Sequence, residues 1–162
     1  MTAAHTLIAL IALLLSPVLV AAPARTGGPA LPAMTNAIKD VREAANPGVV
    51  VVVLFSLPGC HYCEEVRSHY LAPLARDAAN RGRLVVREID LNSARALTDF
   101  DGTSTTQAAF ARRLKVQFAP TVLFLDARGQ QVASPLIGAG KADFYGAYLD
   151  DAIATGLKAA AR

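Results

Sequence analysis

The 162-residue sequence has no tryptophan, only two cysteines and few aromatic residues, which make up 6% of it. Two cysteines are too few for the disulfide framework of a small secreted domain, which uses more of them and spreads them wider. The two that are present, Cys60 and Cys63, stand three positions apart. A single pair of neighbouring thiols indicates thiol chemistry.

The charge of the chain is small and dispersed. Sixteen lysine and arginine residues against 13 aspartate and glutamate residues give a formal net charge of +3. The basic residues are interleaved with acids and have no aromatic residues between them, a pattern that is typical of a solvated surface. The composition therefore argues against nucleic-acid binding, and we expect no nucleic-acid partner.

Lysine and arginine are also absent ahead of an apolar run at residues 6–20. That run is shorter than the ~20 residues that a membrane span needs, and the small residues of Ala22-Pro23-Ala24 follow it. This pattern predicts a signal peptide over 1–24, while the missing basic residue leaves an uncleaved membrane anchor as the alternative. No cysteine follows the run, which excludes a lipid anchor on cysteine. In either case we expect the rest of the chain to be exported to the periplasm.

Composition divides the remaining chain into a linker and one domain. Two glycines and two prolines make 25–34 typical of a flexible linker, and the domain is expected over 35–162. The predicted elements are a helix with Thr35 as its N-cap, a buried strand over 49–55, a helix that opens at Cys60 and is kinked or split by Pro73, a strand over 84–90, a helix over 105–114, a strand over 121–125, a hairpin turn over 127–130 into a strand over 131–134, and a helix from about 141 with Phe144, Tyr148 and Ile153 on its apolar face. Alternating strands and helices predict an α/β fold with a central mixed sheet flanked by helices.

The position of Cys60 at the start of a helix has a chemical consequence. The unpaired N–H groups and the positive dipole end of a helix stabilise a thiolate there, which lowers the thiol pKa below its free value of roughly 8.5. Cys63 lies one turn further on, where it can attack a mixed disulfide formed on Cys60. We therefore predict Cys60 as the nucleophile and Cys63 as the resolving thiol. His61, Tyr62 and Glu64 are the predicted tuning residues.

A Cys-x-x-Cys pair also occurs in other kinds of site. A structural zinc site needs about four ligands, and beyond the pair the chain offers only His5, His61 and His69 as histidine ligands. Covalent haem attachment needs a histidine directly after the second cysteine, where this chain has Glu64. A permanent structural disulfide between the two cysteines remains an alternative, although so short a loop constrains the unfolded chain little. We predict no metal and no dissociable cofactor.

Three segments of the domain occur together in a known arrangement. Residues 51–63 read as strand, loop, dithiol and helix, Phe118-Ala119-Pro120-Thr121 precedes a buried strand, and 126–129 form a turn. Over roughly residues 47–154 the chain thereby resembles the thioredoxin superfamily. That resemblance implies a cis peptide bond between Ala119 and Pro120, opposite the dithiol. It also implies that the backbone of Ala119 binds a substrate strand.

The segments 57–64 and 140–149 resemble more narrowly the exported, SoxW-like group of single-domain thioredoxin-fold proteins. This resemblance implies a monomeric enzyme that reduces disulfides of periplasmic proteins and receives electrons from a membrane-embedded thiol donor. A dithiol oxidase or isomerase of the DsbA class is one alternative, but residues 94–111 are too short for the helical insertion of that class. A module that delivers metal or haem is another, against which stands the lack of methionine or further histidine near the pair.

Two features depart from cytosolic thioredoxins. Those proteins carry a buried acid six residues before the first cysteine, where this chain has Leu54, and a tryptophan beside the motif, where it has Leu57 and Pro58. Without the acid, the local candidates for moving the proton of the resolving thiol are Glu64, His61 or water.

Overall fold

The computed structural model describes residues 30–140 and 142–162. The predicted signal peptide at 1–24 and most of the predicted linker lie outside the described residues. Within them, no helix is long and apolar enough to cross a membrane. The elements, in chain order, are α1 (Ala37–Ala44), β1 (Val50–Ser56), α2 (His61–Glu65), a π-helical segment (Val66–Leu71), α3 (Ala72–Arg76), a 3-10 turn (Ala78–Asn80), β2 (Leu84–Asp90), β3 (Ala96–Thr98), β4 (Ser104–Thr106), α4 (Gln107–Arg113), β5 (Thr121–Leu125), β6 (Leu136–Ile137) and α5 (Ala142–Ala160).

Four strands form a mixed sheet in the order β2-β1-β5-β6. β1 runs parallel to β2 and antiparallel to β5, and β5 runs antiparallel to β6. All seven residues of β1 are buried, because helices cover both faces of the sheet. On one face Val52 and Leu54 pack with residues of α3 and α5, and on the other Val53 and Phe55 pack with residues of α1 and α4. The predicted α/β class with a central mixed sheet is confirmed.

The helix after the cysteine pair is split, as its proline predicted. A π-helical segment over Val66–Leu71 separates α2 from α3, and Pro73 lies in the first turn of α3. Proline has no N–H to donate to the preceding turn, so regular α-helical bonding cannot run through this position. The wider turn lets one helical run from 61 to 76 cover the sheet above Leu54.

Residues 31–34 belong to the fold, although the domain is predicted to begin at residue 35. Ala33 pairs in parallel with Glu88 on the outer edge of β2, through hydrogen bonds from Met34 N to Glu88 O (2.9 Å) and from Glu88 N to Pro32 O (3.0 Å). Leu31 and Met34 are buried. The flexible linker predicted for 25–34 therefore does not reach residue 34. The prediction was wrong here because the prolines and glycines around Leu31 and Met34 made the whole segment resemble a linker in composition. The N-cap of α1 is the next residue along from the predicted one, Asn36.

The apolar face predicted for the last helix is wrong for two of its three residues. Phe144 and Tyr148 are 54% and 60% exposed, whereas Tyr145, Leu149 and Ile153 are buried. Positions 144 and 148 form one helical stripe, and positions 145 and 149 form the next. Both stripes are apolar, so periodicity alone could not decide which one faces the sheet.

Short strands account for the remaining differences. The hairpin of β3 and β4 was not predicted, since each strand has only three residues. The strand predicted over 131–134 is replaced by a single bridge from Gln131 to Leu125 and a later pairing of β6 with β5. Pro135 lies between these two contacts, and proline cannot donate to a ladder.

Candidate functional site

The cysteine pair follows the central strand directly. β1 ends at Ser56, and a turn closed by Cys60 N donating to Leu57 O (3.3 Å) leads into α2. Gly59 has φ +73° in this turn, a conformation that glycine adopts without penalty. Cys60 is the N-cap of α2, and its Sγ accepts a hydrogen bond from Cys63 N at 3.2 Å. The chain thus places one sulfur at the N-terminal end of a helical run, as the sequence predicted.

The two sulfurs differ in exposure. Cys60 and Cys63 form a disulfide with their Cα atoms 5.2 Å apart. Cys63 is 0% exposed, whereas Cys60 is partly exposed. A partner arriving from solvent therefore reaches Cys60 first. This asymmetry is the one that the predicted roles of nucleophile and resolving thiol require, and the roles themselves stay a prediction.

The proline loop lies at the same end of the sheet as the disulfide. Phe55 of β1 pairs with Thr121 of β5, so Pro120 stands beside the end of β1 from which the cysteine loop departs. The Ala119–Pro120 peptide bond is cis, as expected. Thr121 Oγ1 donates to Phe118 O at 2.8 Å, and Gly138 N donates to Pro120 O at 2.8 Å. These bonds hold the loop from both sides, while the binding role of Ala119 remains a prediction.

The two residues between the cysteines face outward. His61 Nε2 lies 3.2 Å from Glu65 Oε1, and the His61 side chain is 78% exposed. The rings of His61 and Tyr62 are 5.6 Å apart, and Tyr62 is 60% exposed. A carboxylate therefore lies beside the imidazole, and the tuning role of His61 remains a prediction.

A network of charged side chains lies close to the disulfide, and the sequence did not predict it. Arg67 Nε donates to Glu88 Oε2 at 2.8 Å, and the same guanidinium also donates to Glu88 Oε1 and Glu64 Oε2. Ser56 Oγ donates to Glu88 Oε1 at 2.5 Å. The side chains of Arg67 and Glu88 are only 15% and 17% exposed, and that of Glu64 is 42% exposed. The hydrogen bond that Arg67 donates to Glu88 is the largest cause that raises the pKa of Arg67 above its ordinary value.

Glu64 is thus the predicted tuning residue that the structure ties to a network. The network escaped sequence reasoning because Arg67 and Glu88 stand 21 positions apart. The sequence offered one signal: Glu88 is an acid within a predicted strand whose first three residues are apolar.

Two shallow cavities connect this network to the disulfide. One is lined by Cys60, Glu64 and Arg67, among others. The adjoining one is lined by Arg67, Glu88 and Ser56, among others. In the described part of the chain, no group of three or more His, Cys, Asp or Glu side chains is placed to hold a metal ion. The site as described therefore consists of a disulfide, a cis-proline loop and an ion-paired acid.

Comparison with solved structures finds the same fold in thioredoxins. Fasciola hepatica thioredoxin is 19% identical, with a TM-score of 0.51, and the match covers 76% of this chain and 97% of that one. A poplar thioredoxin h is 25% identical over 70% of this chain and 85% of its own, with a TM-score of 0.47. A thioredoxin-fold protein from Helicobacter pylori is 17% identical over 76% and 91%, with a TM-score of 0.47. No curated protein matches the chain significantly.

One protein-family model matches most of the described domain. The thioredoxin-like domain family matches residues 34–153, which include β1, the cysteine pair, the cis-proline loop and the first part of α5. The match begins at Met34, the buried residue hydrogen-bonded to the edge of β2. The chain therefore belongs to the family of thioredoxin-like domains.

Proposed function

We propose that this protein is a thiol–disulfide oxidoreductase that reduces disulfide bonds of exported proteins through Cys60. The observation that carries the proposal is the pair of unequal sulfurs, one partly exposed at the start of a helical run and one fully buried a turn later. A family of thioredoxin-like domains with a Cys-x-x-Cys pair supports oxidoreductase chemistry in general. The direction of electron flow and the substrate class are the further content of the proposal.

The reaction is two successive thiol–disulfide exchanges. The Cys60 thiolate attacks one sulfur of a substrate disulfide, and the other substrate sulfur leaves as a thiolate and takes up a proton. The Cys63 thiol then loses its proton and attacks Cys60 Sγ, which forms the Cys60–Cys63 disulfide and releases the second substrate thiol. Two electrons pass from the pair to the substrate. The N–H of Cys63, 3.2 Å from Cys60 Sγ, stabilises negative charge on that sulfur in the reduced protein.

An apolar rim around the disulfide supports protein substrates over small ones. Tyr62, Phe118 and Ile137 are 60%, 65% and 63% exposed. Tyr62 follows Cys60 by two residues, Phe118 belongs to the cis-proline loop, and Ile137 pairs with Thr121 directly after that loop. Large exposed apolar side chains that share one edge of a fold favour contact with another protein. An extended substrate strand would lie along Ala119.

Export to the periplasm and electron supply by a membrane-embedded thiol donor complete the proposal. Both depend on the signal pattern at 1–24, which lies outside the described residues, and on the SoxW-like resemblance of 57–64. A donor is required by the chemistry itself, because each turnover leaves Cys60 and Cys63 as a disulfide. A second dithiol must return two electrons before the next turnover.

The test is insulin reduction with dithiothreitol as electron source. Cys60→Ser should abolish the reduction. Cys63→Ser, reduced beforehand and mixed with insulin after the dithiothreitol has been removed, should stop at a covalent mixed disulfide that is visible on a non-reducing gel. His69→Ala, an exposed substitution on the same helical run, serves as the control that keeps full activity. Equal rates of insulin reduction by the wild type and by Cys60→Ser would refute the proposed enzymatic activity. A redox potential near ~−270 mV supports a reductant, whereas one near ~−120 mV indicates an oxidase of the alternative class.

A further inference from the structure

One guanidinium serves two carboxylates beside the disulfide. Arg67 bonds Glu88 with two nitrogens and Glu64 with one. Cys60, Glu64 and Arg67 stand at positions i, i+4 and i+7 of the helical run, which places them on one face. The acidic triad, Glu64–Arg67–Glu88, therefore carries a net charge of −1 next to the nucleophilic sulfur.

The second observation concerns one oxygen atom of Glu64. Oε2 accepts from Arg67, while Oε1 is buried and has no hydrogen-bond partner among the described residues. Glu64 and Cys60 line the same cavity. Oε1 thus carries part of the negative charge of Glu64 with no donor to offset it. Negative charge near a thiol favours the protonated form of that thiol.

Other charges around the disulfide do not cancel this excess. On α2 the remaining charged groups are His61 and Glu65, which pair with each other on the outer surface. The cavity that adjoins the site carries Asp90 and Arg95, one charge of each sign. The proline loop at 117–121 has no charged residue. The helix N-terminus favours a thiolate, and the acidic triad is the group that opposes it.

We propose that the acidic triad holds Cys60 towards its protonated thiol in the reduced state and thereby sets the pair as an electron donor. Negative charge near the sulfur destabilises only the reduced protein, in which a thiolate can form, and not the neutral disulfide. The exchange equilibrium with a substrate disulfide then shifts towards reduced substrate and oxidised protein. The inference rests on the proposed function and supplies its direction. Glu64 lies in the cavity with Cys60, and Arg67 and Glu88 act as positioning residues through it.

Neutral, nearly isosteric substitutions test the sign. Glu64→Gln and Glu88→Gln should each lower the pKa of the Cys60 thiol by about one unit. They should also shift the equilibrium with glutathione towards the reduced protein, by about tenfold at a pH well above the thiol pKa and by less below it; a tenfold shift corresponds to about 30 mV for a two-electron couple. Glu43→Gln is the matched control, because Glu43 is an ion-paired glutamate of α1 on the other face of the sheet. It should leave both quantities unchanged.

An opposite substitution separates electrostatics from general disturbance. Arg67→Gln leaves two carboxylates without a cation, so it should raise the thiol pKa and shift the glutathione equilibrium towards the oxidised protein. A merely structural role would move all three variants in one direction. If Arg67→Gln does not fold, the two glutamate variants and Glu43→Gln still decide the sign.

Unchanged or oppositely shifted thiol pKa and glutathione equilibrium in Glu64→Gln and Glu88→Gln would overturn the inference. Both quantities are measured on the cysteine pair itself. They are therefore independent of insulin reduction, whose absence in the wild type would overturn the proposed function instead.

Discussion

Substitution of Gly129 tests how the turn at the far end of β5 is held. Asp126 Oδ1 accepts from Arg128 N and Gln130 N, each at 2.8 Å, and Gly129 N donates to Asp126 O at 3.0 Å. Gly129 has φ +79°, in the left-handed region that side chains with a Cβ avoid. Gly129→Ala adds a methyl group at this position and leaves the rest of the turn unchanged in sequence.

Two terms add in this variant. Holding alanine at positive φ costs about 1–2 kcal/mol. The new Cβ would also lie 2.6 Å from Cδ2 and 2.8 Å from Cγ of Phe100, and only 3.2 Å from its Cβ. The contact reaches the root of the Phe100 side chain, whose ring packs 6.3 Å from that of Phe110, so the ring cannot simply swing away. Overpacking of this kind costs about 1–3 kcal/mol, and the expected total is about 2–5 kcal/mol.

The assay is equilibrium unfolding in denaturant, with Gly102→Ala as the matched control. Gly102 also has positive φ, +88°, but a Cβ there would meet only Ile38 Cδ1 at an ordinary 3.6 Å. The control should therefore lose only the backbone term, about 1–2 kcal/mol. A loss in Gly129→Ala no larger than that in Gly102→Ala would refute the steric part of the reasoning. The redox potential should not change in either variant, because the turn lies at the end of β5 opposite Pro120.

Two further substitutions address the last helix and the proline loop. The pKa of Tyr145 is raised above its ordinary value of 10.0, mainly by burial of the side chain and to a smaller extent by Tyr70. The stability that the protonated hydroxyl contributes is therefore complete below pH 10 and is lost as the pH rises further. The Tyr145 hydroxyl has no hydrogen-bond partner among the described residues, so Tyr145→Phe should not destabilise the protein at pH 7. Above pH 10 the free energy of unfolding should fall less steeply with pH in this variant than in the wild type. A steeper fall in the variant would contradict this. Phe118→Ala should leave stability unchanged, because Phe118 is 65% exposed, and should raise the KM for insulin severalfold but not that for a small aromatic disulfide; equal KM changes would contradict a role in protein contact.

Elements with a strong local pattern were predictable from the sequence. β1 and β5 are continuous apolar runs, and their predicted bounds differ from the structure by at most one residue at either end. The start of α2 directly after its N-cap Cys60 followed from Pro58-Gly59 and the helical spacing beyond it. The cis bond before Pro120 followed from family resemblance, since no local pattern distinguishes a cis from a trans proline.

Features that depend on distant residues were not predictable. Met34 is buried only because residues 31–34 pair with the edge of β2, more than 50 positions away along the chain. Arg67 and Glu88 meet because the helical run crosses over β2, and nothing near either residue indicates its partner. The buried stripe of α5 was assigned wrongly for the same reason, because the choice between Tyr145 and its neighbour Phe144 is made by the sheet below.

Leu54 stands where cytosolic thioredoxins carry a buried acid, and Glu88 of the acidic triad stands beside it on the neighbouring strand β2. β1 is buried along its whole length between two layers of helices, and a lone charge there would be costly unless it were paired. Glu88, in register with Leu54 on β2, lies one strand nearer the edge of the sheet, where Arg67 and Ser56 satisfy both of its oxygens. In our proposal the charge that acts on the cysteine pair therefore includes Glu88 of β2, while β1 is apolar from Val50 to Phe55. On this reasoning Leu54→Asp should not restore a missing function, because a carboxyl at this fully buried position is held in its neutral form. The variant should lose stability in equilibrium unfolding and leave the glutathione equilibrium at pH 7 close to that of the wild type. A large shift towards the oxidised protein would contradict the reasoning.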